Sequence, residues 1–146
     1  MYYPLFLDLR GRKVLVVGAG KVALRKTRGL LEAGAVVTVV SPEGEAEFSS
    51  LPVEWKRRRF RASDVGGQAL VFTATDDRAV NRKVGEAAAA RGIWANVADA
   101  PEECDFLVPS RIRRGDLQVA VSTGGRSPRL AAGLRKRIEA LLENPV

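Results

Sequence analysis

The stretch VLVVGAGKVALRK, residues 14–26, decides the fold of this chain. It begins with four apolar residues, a continuous run typical of a strand that is buried on both faces. The run ends in Gly18-Ala19-Gly20, and a segment with helical spacing follows at once, over residues 21–33, with Gly34 placed to end it. A strand, a glycine-rich turn and a helix in direct succession predict the first half of a βαβ unit.

The same alternation continues along the next seventy residues. Predicted strands cover residues 36–40, 69–74 and 93–97, and the pattern VEWKRRRF over residues 53–60 predicts a less buried strand. Helical patterns lie between them, a weak one near residues 43–50 and an alanine-rich one over residues 78–91. Strands and helices at this spacing predict an α/β domain, a Rossmann-type, doubly wound parallel sheet over residues 1–112.

The pattern changes in residues 113–146. One strand is predicted over residues 117–123, and Ser127-Pro128 supplies an N-cap and a first-turn proline for a final helix. Apolar residues share one face of that helix, and they are Leu130, Leu134, Ile138, Leu141 and Leu142. Because one strand and one helix cannot bury such a face by themselves, this strand-plus-helix segment must pack on the first domain or on a second chain. We predict that it is the dimerisation element of a homodimer.

Composition excludes several kinds of site. The chain has 24 Lys and Arg, 17 Asp and Glu, a net charge of +7 and no histidine. Imidazole-based metal sites and histidine-dependent catalytic triads are therefore excluded, and no metal site is predicted. The single cysteine, Cys104, has no partner for an internal disulfide, which suits a reducing cytoplasm. No apolar run is long enough to cross a membrane and no secretory signal is visible, so we expect a cytoplasmic protein.

The glycine turn is the first candidate site. GAGKVA, residues 18–23, matches the pattern G-x-G-x-x-[GA] in its proper context, after a buried strand and before a helix. Gly18 permits the tight turn, Gly20 lets a pyrophosphate approach the backbone amides, and Ala23 allows close packing of helix and strand. A structural turn without a ligand is the alternative. The candidate dinucleotide-binding residues are Gly18, Ala19, Gly20, Lys21, Val22 and Ala23.

The ends of two later strands belong to the same candidate site. An NAD-binding domain usually has Asp or Glu at the end of its second strand, whereas this chain has Ser41-Pro42. The residues alone therefore leave NAD and NADP both open. Thr75 and Asp76 follow the strand at residues 69–74 and are expected at the same edge, close to the cofactor. Asp76 and Asp77 could equally well cap the helix that follows them.

Four motifs together resemble a known family, the precorrin-2 dehydrogenases that form the N-terminal modules of sirohaem synthases. In order, they are YYPLFLDLRGRKVLVVGAGKVALRK, FTATDDRAVNRKV, NVADAPEECDFLVPS and RGDLQVAVSTGGRSPRLAAGLRKRIEALL. The resemblance covers nearly the whole chain, including the serine at position 41. It implies an NAD-dependent oxidation of precorrin-2 to sirohydrochlorin, an intertwined homodimer, and a loop at residues 122–125 beside the active site.

The resemblance also implies that Asp99 is the catalytic base. Oxidation of the macrocycle releases a hydride and a proton, and a chain without histidine must use a carboxylate, tyrosine, lysine or water as the base. Asp99 follows the strand at residues 93–97, so we expect it at the carboxyl edge of the sheet, where partial burial would raise its pKa. The alternative is that Asp99 caps the turn at Pro101.

The basic excess suits precorrin-2, which carries carboxylates around its ring. Candidate substrate contacts near the proposed site are Arg111, Arg114, Ser122, Thr123, Gly124 and Arg126. Asp105 departs from some relatives, and a second acid there would repel an anionic substrate unless it points away. Without a methyltransferase domain in these residues, methylation is not expected.

Three alternatives to this function remain. One is an NAD-binding regulatory module without catalysis, and another is a bifunctional enzyme that also inserts iron. The third is nucleic-acid binding, which the aromatic content of 6% disfavours because few residues are available to stack on bases.

Overall fold

The computed structural model describes residues 2–143. The chain divides into two compact units. The larger unit is Leu5–Phe106, and the smaller unit contains residues 2–4 and 107–143. None of the helices in these described residues is long and apolar enough to cross a lipid bilayer.

The larger unit is built on a five-stranded sheet. Its strands are β1 (Lys13–Val17), β2 (Val36–Val40), β3 (Glu54–Lys56), β4 (Leu70–Thr73) and β5 (Trp94–Val97), in the order β3-β2-β1-β4-β5. Every neighbouring pair is parallel. Two helices connect them, α1 (Lys21–Glu32) and α2 (Arg78–Ala89). The α/β, Rossmann-type prediction is confirmed.

The apolar runs bury both faces of the central strands. In β1, Val14 and Val16 belong to the core that α1 covers, whereas Leu15 and Val17 belong to the core on the α2 side. All four side chains are buried, which explains why the sequence shows a continuous run rather than an alternation. Burial on both sides fixes the register, because a slip by one residue would exchange the two faces.

Two predicted elements in the larger unit have different extents. The strand expected over residues 53–60 stops at Lys56, because Arg58 turns away and forms two hydrogen bonds, of 2.9 and 2.6 Å, with the buried Asp64 carboxylate. The weak helical pattern near residues 43–50 is a 3₁₀ helix over Ala46–Ser50. The loop that precedes it, residues 41–45, is part of the candidate site described below.

The smaller unit contains a hairpin and a helix. Strand β6 (Ser110–Arg114) pairs antiparallel with β7 (Leu117–Val121), and α3 (Pro128–Glu143) follows. The sequence predicted only one strand here, and β6 was missed because its segment, SRIRR, has a single apolar residue, the buried Ile112. The boundary expected after residue 112 lies within β6. The predicted cap is present, since the Leu130 amide donates to Ser127 Oγ at 3.2 Å.

Candidate functional site

The topology of the sheet places the candidate site. The chain moves outward from β1 to β2 and β3 on one side, and from β4 to β5 on the other. In such sheets ligands bind outside the carboxyl ends of the strands, at the point where the strand order reverses. Here that point lies between the carboxyl ends of β1 and β4.

The turn after β1 requires glycine at its first position. Gly18 has φ +108°, and a Cβ there would lie 2.5 Å from the carbonyl oxygen of Ala74, which follows β4. The Gly18 amide donates to the carbonyl oxygen of Val40 at 2.9 Å, so the turn is also tied to the end of β2. The carboxyl ends of β1 and β4, which flank the crevice, can therefore approach this closely only because Gly18 has no side chain.

The next glycine opens towards the space where a ligand is expected. Gly20 is the N-cap of α1, no side chain caps that helix, and a Cβ on Gly20 would meet no atom within 4 Å. Leu24 is the first helical residue whose amide donates within the helix, to the Gly20 carbonyl at 2.9 Å. The amides of residues 21–23 therefore have no acceptor in the helix. Free amides at a helix N-terminus fit a pyrophosphate group.

The loop after β2, residues 41–45, folds over this turn. Ser41 Oγ donates to the Glu43 carbonyl oxygen at 2.6 Å, and the Trp55 indole donates to the Ser41 carbonyl oxygen at 3.1 Å. The Glu45 amide donates to the Ala19 carbonyl oxygen at 2.8 Å. Pro42 lies in the same loop and is exposed. The loop that carries Ser41 and Pro42 is thus hydrogen-bonded to the glycine turn through Glu45.

A buried asparagine that the sequence reasoning missed organises the corner after β4. The Asn81 amide oxygen accepts from the hydroxyls of Thr73 and Thr75, the latter at 2.7 Å, and its amide nitrogen donates to the Thr75 carbonyl oxygen at 3.0 Å. Asn81 belongs to the first turns of α2 and is 3% exposed. The only signal in the sequence was a polar residue in an alanine-rich helix, one turn after its start.

The two acids beside this corner have different surroundings. Asp77 is the N-cap of α2, and its carboxylate accepts from the amides of Ala79 and Val80 at 2.9 and 3.3 Å. Asp76 is exposed and carries no such cap contact. The capping interpretation is therefore correct for Asp77, and Asp76 stays at the edge of the sheet, available to a ligand.

Asp99 stands out by its backbone. With φ +60°, it is the one non-glycine residue of the described chain that has a positive φ. Aspartate tolerates this left-handed conformation better than most residues. Asp99 follows β5 by two positions, and the peptide before it is anchored because the Ala98 amide donates to the Thr73 carbonyl oxygen at 3.0 Å.

The side chain of Asp99 is exposed in the isolated chain, so the partial burial expected from the sequence is not seen there. The 3₁₀ turn that follows, Pro101–Glu103, has Ala100 as its N-cap and receives no side-chain cap. The interpretation of Asp99 as a cap is therefore wrong.

Asp105 and Cys104 cover the free edge of β5. The Asp105 carboxylate accepts from the Ala95 amide at 2.8 Å, and the Cys104 thiol accepts from the Val97 amide at 3.1 Å. Asp105 therefore points at the strand backbone rather than at a ligand, which answers the question its charge raised. Burial raises the pKa of the Cys104 thiol, so it stays protonated at neutral pH.

The candidate substrate residues belong to the smaller unit. Residues 122–127 form a compact loop, in which Ser122 Oγ accepts from the Gly124 amide at 3.1 Å and Thr123 Oγ1 from the Ser127 amide at 2.9 Å. Arg114 is committed to α3, since its guanidinium donates to the Leu142 carbonyl oxygen at 3.0 Å. Arg111 and Arg126 are exposed.

The structure therefore brings one set of predicted residues together. The residues at the carboxyl edge of the sheet are Gly18, Ala19, Gly20, Lys21, Val22, Ala23, Ser41, Pro42, Thr75, Asp76 and Asp99. They follow β1, β2, β4 and β5. This edge combines a helix N-terminus whose first amides have no acceptor in the helix with the exposed Asp99 carboxylate.

Comparison with known proteins agrees with the class that this edge defines. The family model of NAD(P)-binding domains matches residues 5–110, so the chain carries an NAD(P)-binding domain of Rossmann type. A second model, the central domain of sirohaem biosynthesis proteins, matches residues 114–141.

Individual relatives narrow the class. The chain is 49% identical over 143 residues to a siroheme synthase of Tolumonas auensis and 48% identical over 145 residues to one of Methylococcus capsulatus. Each match covers 97% of this chain but 31% of the relative, so the chain spans about a third of their length. The solved structure of SirC, a precorrin-2 dehydrogenase, superposes with a TM-score of 0.81 at 33% identity, covering 95% of this chain and 70% of SirC. The chain belongs to the family of precorrin-2 dehydrogenases and siroheme synthase N-terminal domains.

Proposed function

We propose that this chain is an NAD-dependent precorrin-2 dehydrogenase, an oxidoreductase that converts precorrin-2 to sirohydrochlorin in sirohaem biosynthesis. The observation that carries the proposal is the placement of Asp99 at the same edge of the sheet as the glycine turn. The similarity to SirC over most of both chains supports it.

The chain's own residues perform the binding steps at this edge. The free amides at the start of α1 hold the pyrophosphate, and Gly20 allows its close approach. The corner formed by Thr75 and Asp76, which the buried Asn81 holds in place, would contact the nicotinamide or its ribose. When bound, NAD⁺ supplies the acceptor for the hydride that the macrocycle loses.

Asp99 accepts the proton that leaves the macrocycle in the same oxidation. Its left-handed backbone and the anchored peptide before it direct residue 99 away from the strand rather than along it. The Asp99 side chain is exposed in the single chain, and contact with a bound substrate would remove water from it, which makes a carboxylate a stronger base.

The smaller unit contributes substrate binding and dimerisation. Arg111 and Arg126, with the loop at residues 122–125, bind substrate carboxylates, for which guanidinium groups are suited. A homodimer forms through apolar side chains that are exposed in the single chain, among them Leu117 at 48%, Leu130 at 55% and Leu141 at 74%. Exposed apolar side chains of this size favour an interface. The protein acts in the cytoplasm, where its thiol stays reduced.

The test is an anaerobic turnover assay with enzymatically prepared precorrin-2 and NAD⁺, following the absorbance of sirohydrochlorin. We expect turnover by the wild type and its loss in Asp99→Asn, which keeps the shape and the left-handed preference of the side chain. Asp99→Asn should bind NAD⁺ with unchanged affinity.

Three outcomes are informative. Equal turnover by both proteins would remove Asp99 from the chemistry but keep the dehydrogenase. NAD⁺ binding without turnover by the wild type would favour a binding module. Failure of the wild type to bind NAD⁺ would overturn the function as a whole.

A further inference from the structure

We propose that Ser41 selects NAD over NADP by presenting its hydroxyl to the cofactor only as a hydrogen-bond acceptor. The inference rests on the proposed function, because it concerns the adenosine ribose of the same dinucleotide. It resolves the choice that the sequence left open when Ser41 replaced the usual acid at the end of β2.

The hydrogen-bond partner of Ser41 determines whether its hydroxyl can donate to a ligand or accept from it. Ser41 Oγ lies 2.6 Å from the carbonyl oxygen of Glu43. A carbonyl oxygen has no hydrogen, so the serine hydroxyl must donate in this bond. A hydroxyl has one hydrogen and two acceptor lone pairs. Ser41 can therefore receive a hydrogen bond from a ligand but cannot give one.

A hydroxyl that can only accept a hydrogen bond suits the free 2′-hydroxyl of NAD and not the 2′-phosphate of NADP. The 2′-hydroxyl of NAD can donate to Ser41, as it would donate to the carboxylate found at this position in many NAD-binding domains. A 2′-phosphate carries between one and two negative charges at neutral pH and needs donors instead. The same loop adds two carboxylates, Glu43 and Glu45, which disfavour a second anion.

Three cations near the loop have partners other than Ser41. Lys56, whose carbonyl oxygen accepts from the Ser41 amide at 3.2 Å, has its Nζ 4.0 Å from a Glu54 carboxylate oxygen. Arg28 pairs with Glu47, and the Arg57 guanidinium lies 3.9 Å from the centre of the Trp55 ring. Such a stacked guanidinium is held by the aromatic face. The described contacts therefore show no guanidinium directed at Ser41, as recognition of a 2′-phosphate would require.

Contacts with Trp55 and with the glycine turn hold the loop at residues 41–45 in place. The Trp55 indole holds the Ser41 carbonyl oxygen at 3.1 Å. A Cβ at Gly44 would overlap both the side chain and the carbonyl oxygen of Ala19, so the loop lies directly on the dinucleotide turn. Trp55 and Gly44 are accordingly positioning residues, which keep Ser41 at a constant distance from the bound ribose.

The experiment pairs a change in the protein with a change in the ligand. Equilibrium dissociation constants are measured by calorimetry for NAD⁺, for NAD⁺ lacking the 2′-hydroxyl of the adenosine ribose, and for NADP⁺. In the wild type we expect the deoxy ligand to bind about 2- to 10-fold more weakly than NAD⁺, the range of one neutral hydrogen bond. In Ser41→Ala the two ligands should bind equally.

Ser50→Ala is a matched control. Its hydroxyl also donates to a backbone carbonyl, that of Glu47 at 2.8 Å, and it lies nine residues further along, in the 3₁₀ helix. This variant should keep the wild-type ratio between NAD⁺ and the deoxy ligand. The wild-type measurement with the deoxy ligand needs no variant, so equal binding of the two ligands would refute the role of Ser41 even if a substitution impairs folding.

The outcomes separate the inference from the proposed function. Equal binding of NAD⁺ and the deoxy ligand by the wild type would overturn the role of Ser41 while leaving NAD⁺ binding intact. NADP⁺ binding as tight as NAD⁺ would overturn the selectivity. Absence of NAD⁺ binding would overturn the proposed function together with this inference.

Discussion

Replacing the two glycines of the turn by alanine is predicted to have different effects: Gly18→Ala lowers folding stability, whereas Gly20→Ala lowers the affinity for NAD⁺. Gly18 has a positive φ, and its added Cβ would lie 2.5 Å from a backbone oxygen that cannot move without moving the end of β4. The strained backbone costs about 1–3 kcal/mol and the overlap about as much again. We expect Gly18→Ala to lower the free energy of unfolding by about 2–6 kcal/mol.

Gly20→Ala should leave stability almost unchanged. Its φ of −83° suits any residue, and the added Cβ meets no atom within 4 Å. Loss of a glycine N-cap and gain from a less flexible unfolded chain are each below about 1 kcal/mol and have opposite signs. The methyl group nevertheless projects into the space through which the pyrophosphate approaches, so NAD⁺ affinity should fall about 5- to 150-fold, since a single overlap costs about 1–3 kcal/mol.

Urea unfolding and calorimetric titration with NAD⁺ check the pair. The reasoning would be refuted if Gly18→Ala unfolded at the wild-type urea concentration, or if Gly20→Ala bound NAD⁺ as tightly as the wild type. A loss of stability in both variants would mean that Gly20 packs against protein rather than facing a ligand.

Three further predictions concern groups around the edge of the sheet. Asn81→Ala should lower the free energy of unfolding by about 1–3 kcal/mol in urea, because the buried Thr73 hydroxyl loses its acceptor. The Arg58 guanidinium holds the pKa of Asp64 below its usual value of 3.8, so the folded state binds this proton less tightly than the unfolded state. The resulting stabilisation is complete above the usual pKa and is lost as the pH falls through the lower pKa of the folded state. In a plot of the free energy of unfolding against pH, Asp64→Asn should remove this fall at acidic pH. An unchanged plot would contradict the role of the pair. Cys104→Ser should melt close to the wild type because a hydroxyl can replace the thiol in its hydrogen bonds, and Cys104→Ala should lose about 1–3 kcal/mol through the unpaired amide of β5. Equal melting temperatures of the two Cys104 variants would show that this amide finds another partner.

The central fold was predictable because its signals are local. The strand β1 is buried on both faces after Lys13 and appears as an unbroken apolar run before a glycine turn, and β2 shows four valines around one threonine. The strand β6 could not be found in this way, since it is exposed apart from Ile112 and is defined by its pairing with β7. The predicted strand at residues 53–60 was too long because Arg58 pairs with Asp64, six residues further along, instead of continuing the strand.

The candidate site shows the same division. The glycine turn follows from chain geometry that only certain residues permit, so its sequence is diagnostic. The role of Asn81 depends on which side of α2 faces the sheet and on two threonines in another element, which no periodicity reveals. The polarity of Ser41 depends on a single rotation of its hydroxyl towards Glu43. Such details are set by packing, and sequence reasoning could name the residue but not its partner.

The way in which the sheet ends at β5 has a consequence for the behaviour of the protein at high concentration. Backbone amides on an outer strand are normally ready to pair with any extended chain that approaches. Here one such amide is occupied by a carboxylate and another by a thiol, both from the segment that follows the strand. A visiting strand would have to displace a charged group and strip its hydration before making its first bond. The β5 edge is therefore protected without a further strand. Oxidation or alkylation of Cys104 would free the Val97 amide and make this edge a site of aggregation.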